Sequence, residues 1–563
     1  MSENITELEK KGARPVVAGL TPYAGTFGRD QIIHLLKRTM FGAKRADIDF
    51  FVGKTLAQTL DVLMTPAPTP SLPLRQYAAS STVGVADDVI PIGTTWVYAP
   101  ENGNYNGRRT NSFKGWWINQ MVAQGRSVHE KMILFWHNHF ATELVDTTAK
   151  TAYWLHDLLR RNALGNLKSL VRDVTFEPNM LIYLNGRVNI KTAPDENYAR
   201  ELQELFTLGK GPNSKYTEDD VKAASRILTG WTIRNVVDPT DASKSKQQAI
   251  FNPANHDTGN KQFSSFYGNK LIAGSAVANT QAFALGEFNS MLDMIFATSE
   301  VALFISRKLY RHFVYYDIDA TVEAEVIAPM ADLIRANNYD IAPALKALLS
   351  SDHFFELGQK ACVIKSPIDF LVGAVREFDV DFPTVSTPVT DLPVQYNSWV
   401  QLSNNAALQG QSIGDPPSVA GWPAYYQEPS YHENWINTDT FPKRLRITDT
   451  LLTTAGLNIG SGKKLWINVI KFTEGFGEVI ASDPNKLIDA ALELMYRVPP
   501  TAAMRTYLKT TILLGGQASD YYWTDAWNTY KSAPTNTMAL SIVTTRLQAF
   551  YKFIVQNPEY QLS

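Results

Sequence analysis

Asp195-Glu-Asn-Tyr-Ala-Arg-Glu-Leu-Gln-Glu-Leu-Phe-Thr-Leu-Gly209 reads as one helix over 196–208 with its own stop. No proline interrupts it, strong helix formers fill it, and Gly209 stands where a C-terminal cap belongs. At about 100° per residue, Tyr198, Leu202, Leu205 and Phe206 form an apolar stripe. Asn197, Glu201 and Glu204 gather in a polar strip on the far side, with Leu208 among them. A leucine amid carboxylates on the face away from the core implies that this face is covered as well. Buried carboxylates need cations, donors or a metal, so the helix is a candidate wall of a site.

Outward from it, helix dominates. Ile32, Ile33, Leu35, Leu36 and Met40 carry a helical pattern from Arg29 that stops at Gly42. A second helix is expected from Asp47 to Met64. Residues 65–106 are rich in Pro, Gly, Ser and Thr and read either as lids or binding loops, or as linkers. Further helices are expected near 110–125, 127–138, 147–161 and 162–174. Thr217 followed by Asp220 forms a near capping box, and 232–275 reads as loops with two short strands. Helical patterns resume at 279–298, 299–313, 319–337, 341–350 and 366–377. A proline-rich irregular stretch spans 379–440, and 441–563 is helical again. Without a train of alternating strands the fold is expected to be mainly α, a multi-helix domain with long irregular loops and at most a few short strands.

Composition sets the limits. With 45% apolar and 19% charged residues the chain is an ordinary globular one. A net charge of −2 gives no reason to expect nucleic acid or an anionic membrane as partner. The 24 Tyr and 12 Trp suit a carbohydrate-binding cleft or, more simply, a large aromatic core and rim. The lone Cys362 rules out a disulfide within the chain and cysteine-based metal sites, and reads as a buried structural thiol. Met1 to Leu20 is no secretory signal as written, which points to the cytoplasm. No stretch approaches the length of a membrane span.

Three constellations carry chemistry. In His129-Glu-Lys-Met-Ile-Leu-Phe-Trp-His-Asn-His-Phe140, a regular helix would point His137 and His139 about 200° apart. They converge on a metal only if the helix ends near His137, as a break at Ala141-Thr142 suggests. Glu130 shares the face of His137 and would orient its ring; the alternative is a polar knot pinning helix ends. On the central helix Glu201 and Glu204 would pair around one cation, or split as base and neutral acid; the alternative is a salt-bridge network centred on Arg200. In His256-Asp-Thr-Gly-Asn-Lys261, His256 would be a ligand and Asp257 a base. Histidines 34, 312, 353 and 432 read as structural. Gly410-Gln-Ser-Ile-Gly414 matches a nucleophile elbow in letters only, because Asp415-Pro-Pro417 forbids the helix that must follow. No nucleotide-cofactor motif occurs.

Seven segments together resemble the bacterial domain of unknown function 1800 family. They are Arg29–Gly42 with His34-Leu-Leu-Lys-Arg38, Leu134–Phe140, Asp195–Gly209, Tyr216–Val221, Leu228-Thr-Gly-Trp231, His256–Gly259 and Pro417-Ser-Val-Ala-Gly-Trp-Pro423. The resemblance covers about residues 28 to 555 and implies one large helical domain there, with irregular insertions near 65–106 and 379–440. A loose arm (1–27) and a tail (556–563) would flank it. It implies no established activity. It does imply frequent export, and a protein partner encoded nearby from a second family that looks similar to sulfatases and alkaline phosphatases. The family pattern has Pro-Asn-Glu-Asn where this chain has Pro194-Asp-Glu-Asn197.

Two readings follow. The first is a metal-assisted hydrolase or oxidoreductase acting on a polymer such as a glycan. Its ligands would be His137, His139, Glu201 and His256, with Glu204, Asp257 and Glu130 as catalytic carboxylates. Asn138, Asn197, Arg200 and Trp231 would serve in binding, and a divalent transition metal would be the cofactor. A metal-free form would use two carboxylates as acid and base. The second reading is a non-catalytic structural or cell-envelope assembly protein. There the polar residues fix helix packing, and the irregular stretches present aromatic surface to a partner. An enzyme needs these residues around one cavity; a scaffold buries them separately.

Overall fold

The computed structural model describes residues 19–77, 90–101 and 103–563. Among the described residues the fold is mainly α, with three two-stranded antiparallel pairings. One continuous hydrophobic core runs from Ile32 near the start of the chain to Tyr560 near its end. The helix Arg29–Thr39 is buried on nearly every side, from Ile32 through Thr39. Such a helix must find partners for its charges. Lys37 forms a buried ion pair with Glu377, at the end of the helix Pro367–Glu377. Gly42 then reverses the chain at φ +72°, and a Cβ there would lie 2.8 Å from the Cα of Gly373. Only glycine permits that turn and that approach together.

The central helix spans Asn197–Glu204, four residues short of the expected end. The chain tightens instead: the amides of Leu205 and Phe206 share the Glu201 carbonyl at 2.9 and 3.0 Å. Thr207 Oγ1 donates to Leu202 O at 2.6 Å. Gly209 is the stop, at φ +77°. The face opposite the stripe is covered only towards its C-terminal end. Leu208 is fully buried, Glu201 and Glu204 are half-buried, and Asn197 is exposed. Thr217 and Asp220 form the expected capping box on Glu218–Ile227, and Asp220 also accepts from the amide and hydroxyl of Ser264 at 2.7 Å each.

Several local expectations are corrected. Asp47–Met64 is two helices, Arg45–Phe51 and Leu56–Leu63, parted at Gly53 with φ +85°. The stretch 232–275 opens with a long hairpin, Trp231–Asp238 against Asp241–Phe251, in register from Trp231↔Phe251. Within 379–440 lies the helix Pro388–Leu408, which contains Pro393. Its packing on Gly103–Val122 overrides the proline signal: a Cβ on Gly115 would already stand 3.0 Å from Val400. Residues 556–563 are no loose tail, since Lys365 N donates to Gln561 O at 2.8 Å and Ser563 N to Val363 O at 2.9 Å. Of the arm, 1–18 lies outside the described residues, while Tyr23 N reaches Ser350 O at 2.8 Å. In 65–106, residues 78–89 and 102 lie outside them too. Cys362 is half-buried and donates to Gln359 O at 3.2 Å.

The aromatic surplus turns inward. All twelve tryptophans are described; ten are buried and Trp154 and Trp466 half-buried, so none offers an open stacking platform. Trp96, Trp422 and Trp435 come from the irregular stretches and fill the core. Among the described residues no single helix is long and apolar enough to cross a membrane. Gln281–Phe296 and Glu300–Phe313 reach that mark only as a pair bent by 71°, and both feed the core.

Gly209→Ala would need a left-handed backbone and would place a Cβ 2.5 Å from the Phe304 ring. We expect it to cost about 2 kcal/mol of unfolding free energy, read as a lower urea midpoint with unchanged far-ultraviolet circular dichroism. A midpoint equal to the parent's would show that the ring yields freely.

Candidate functional site

The helix His129–His139 runs through both histidines instead of ending at His137, so their rings diverge as regular geometry demands. His139 is satisfied at both nitrogens. Nε2 lies 3.1 Å from the Phe206 carbonyl, and Nδ1 lies 3.2 Å from the Lys308 ammonium. Lys308 therefore donates to Nδ1, and Nε2–H donates to the carbonyl. Burial pushes Lys308 down to about 7. No lone pair of His139 remains for a metal.

His137 faces the opposite way, edge-on to Trp117 and Trp422 at ring-centroid distances of 5.0 and 5.8 Å. Beside it is a cavity of about 10 Å³ that it shares with His156 and Thr142, room for about one water. His137 Nε2 and both nitrogens of His156 have no hydrogen-bond partner among the described residues. Burial lowers His137 to about 4, with Asp415 opposing and Lys114 adding to the shift. His156 is pushed well down by burial and by the neighbouring Arg160. Both rings are neutral at pH 7. His156 went unnoticed in the sequence, although a histidine on the apolar side of the helix Ala149–Arg161 is a signal in itself.

Glu130 does not orient His137. Its Oε1 accepts from Arg160 Nη2 at 2.5 Å in a buried pair, and burial raises its pKa against that arginine. Asn138 Oδ1 accepts from Trp422 N at 2.9 Å. Gly421, at φ +94°, lies so close that a Cβ would stand 2.3 Å from that oxygen. Asn138 thus docks the Pro417–Pro423 loop onto the histidine helix.

On the central helix Arg200 forms a fork with Glu218, 2.7 Å to each oxygen, and reaches Glu196 at 3.2 Å. Glu204 pairs with Lys210 at 2.5 Å and accepts from the Tyr216 hydroxyl at 3.3 Å. Glu201 Oε2 is buried without a partner, and burial and the charge of Glu204 raise its pKa. Asn197 is exposed, its amide donating to Asp195 Oδ1 at 2.9 Å. That role needs only a side-chain oxygen, so Asp serves where the family pattern has Asn. Trp231 is buried against Phe176 and Phe251 at 4.3 and 5.3 Å.

The third constellation is a knot whose partners sequence reasoning missed. His256 Nε2 lies 2.8 Å from Glu287 Oε2, and its Nδ1 lies 2.9 Å from the Thr229 carbonyl. Lys261, wholly buried, donates to Glu287 Oε1 at 2.6 Å and to Asp257 O at 2.7 Å. Asp257 meets Arg226 through two bonds of 2.9 Å, which hold its carboxylate below the usual range against the opposing effect of burial. It is no free base. Glu287, one of two acids in the largely apolar run of Gln281–Phe296, was the available clue.

The residues named as ligands therefore do not gather. Among the described residues no group of three or more His, Cys, Asp or Glu side chains is placed to hold a metal ion. The histidine helix meets the segment just after the central helix through His139, which bonds the Phe206 carbonyl, and through the rings of His139 and Phe140 against that of Phe206. The molecule is a mainly α protein whose polar clusters tie its own segments together. Over residues 34–562 the chain matches the DUF1800 family model, described as a protein of unknown function, and it belongs to that family. No curated protein and no solved structure matches it.

His137 makes the fold acid-sensitive. Its folded pKa of about 4 lies below the ordinary 6.5, so its contribution is complete above about pH 6.5 and is lost as pH falls towards 4. The shift corresponds to about 3 kcal/mol. Urea unfolding of the parent and His137→Gln is expected to show their stability difference narrowing by about that amount across the window. A constant difference would mean that His137 does not resist protonation.

Proposed function

We propose that the chain is a binding or assembly protein in which the His and Glu constellations fix helix packing. What supports this reading is one observation: four of the candidate groups have separate internal partners, while His137 and Glu201, which keep an unpartnered atom, are not grouped with other His, Cys, Asp or Glu side chains as a metal site among the described residues. His139 has Lys308 and Phe206, His256 has Glu287, Glu130 has Arg160, and Asp257 has Arg226. A catalytic or metal-bound side chain needs a free lone pair directed at a shared space, and these have given theirs to neighbours. Elemental analysis of the parent beside His139→Ala and Glu287→Gln tests the reading. We expect no stoichiometric transition metal and a lowered unfolding midpoint in both variants. Stoichiometric metal in the parent, lost from both variants while they stay folded, would overturn it.

A second reading, acid–base hydrolysis of a polymer such as a glycan, is favoured by the Glu201–Glu204 pair. Burial and its neighbour raise Glu201, while Glu204 is paired with Lys210 at 2.5 Å. Two carboxyls in environments that differ in this way divide acid from base. Incubation with oligosaccharides of several linkages is the test. Cleavage by the parent that disappears in both folded Glu201→Gln and Glu204→Gln would favour hydrolysis; no cleavage by the parent would remove it.

A further inference from the structure

The strongest unassigned feature is a cavity of about 40 Å³ between the first helix, the histidine helix and the 363–366 segment. Lys37, Arg38, Lys131, Arg311 and Lys365 line it, and Asp369 is its only lining carboxylate. Two of the cations are matched: Lys131 by Asp369 and Lys37 by Glu377 behind the wall. Arg38 donates to carbonyls, Phe313 O at 2.9 Å, Val314 O and Ser563 O. Carbonyls satisfy its donors without cancelling its charge. Arg311 donates to Tyr316 O at 3.2 Å and has no carboxylate partner among the described residues. Lys365 is 7% exposed, and its Nζ lies 3.8 Å over the Tyr560 ring without a hydrogen bond to any described residue. Burial and the nearby Lys37 bring it down to about 7.

Arg38, Arg311 and Lys365 border one small cavity without an Asp or Glu partner among the described residues, and the two that are buried, Arg38 and Lys365, are costly to keep there unless an anion offsets them. The space holds about three waters, which suits a compact tetrahedral group and excludes a sugar ring. Lysine and arginine donors together are the means by which proteins hold such groups. We propose that this cavity is a binding site for a phosphate or sulfate group, free or carried as an ester, with Lys365 and Arg311 as its principal donors and the charge of Arg38 beside them. This goes beyond the assembly reading and does not depend on it.

The test is calorimetric and thermal titration of the full chain with sodium phosphate, sodium sulfate and phenyl phosphate, at ionic strength held constant with chloride. Lys365→Met separates binding from folding. It removes a buried charge that has no carboxylate, so it should fold at least as stably as the parent without anion. We expect saturable one-to-one binding of phosphate or sulfate by the parent and at least a tenfold loss in Lys365→Met. Arg311→Gln, at a half-exposed position, gives the same comparison should Lys365→Met fail to fold. Phenyl phosphate binding as tightly as the inorganic ion would identify an ester-borne group; exclusion of the ester would identify the free ion. A parent response no larger than that to chloride, or an equal response in the folded variants, would overturn the proposal.

Discussion

The carboxylate of Glu377 is the point on which the chain closes. Its side chain is 1% exposed, and it meets the Lys37 ammonium in a pair shut off from water. The Ala43 amide at 3.4 Å and the Tyr560 hydroxyl at 3.3 Å complete its shell. Residues near the beginning, the middle and the end of the sequence are therefore held by one acid. A buried pair of this kind adds little net stability, because desolvation opposes its attraction, but losing one partner strands a charge at a cost of about 3–5 kcal/mol. It acts as a selector: packings that separate the first helix from Pro367–Glu377 leave two unmatched charges. The contact of Gly42 with Gly373 is possible only in the packing that the pair selects.

How much of this could be read in the letters depends on the range of the forces involved. The Thr217–Asp220 cap, the stops at Gly42 and Gly209 and the mainly helical fold are set within a few residues, and they were legible. So was the burial of Leu208, which follows from its place among the carboxylates. The partners of His139, His256 and Glu130 were not. Lys308, Glu287 and Arg160 lie on other helices, and helical periodicity says which face is covered without saying by what. The end of the histidine helix shows the limit most clearly. A break at Ala141-Thr142 was visible, but two residues in its placement decide whether His137 and His139 converge or oppose. Local propensity does not resolve two residues at a helix terminus. The lining of the cation cavity was equally hidden, although Lys37-Arg38 in an otherwise apolar buried helix was a signal that two charges required partners.

The buried histidines and the buried cations solve different problems. Where His137 and His156 face the same small cavity, aromatic walls and nearby cations keep both rings neutral. Neutral imidazoles beside space for a single water cost little to leave inside. Where His139 meets Lys308, a ring nitrogen accepts from an ammonium that burial has already weakened. Neither arrangement belongs to a group of three or more His, Cys, Asp or Glu side chains placed to hold a metal ion among the described residues.

The interior is in fact positive. Among the described residues twelve Lys and Arg side chains are buried against seven Asp and Glu, while the chain as a whole carries −2. Aromatic faces account for much of the tolerance: Lys131 lies 4.6 Å over Phe41, Arg444 5.1 Å over Phe370 and Lys365 3.8 Å over Tyr560. Each such contact contributes on the order of 1–2 kcal/mol when desolvated, less than a full charge loses on burial. Carbonyl acceptors around Arg38 and Arg444 supply more. The deficit is greatest where several cations border one open space, because their mutual repulsion adds to the loss of water. At the cation cavity that condition coincides with a lysine lacking any hydrogen bond to a described residue. Rings and carbonyls soften a positive interior, and a mobile counter-charge at the cation cavity would offset what they leave.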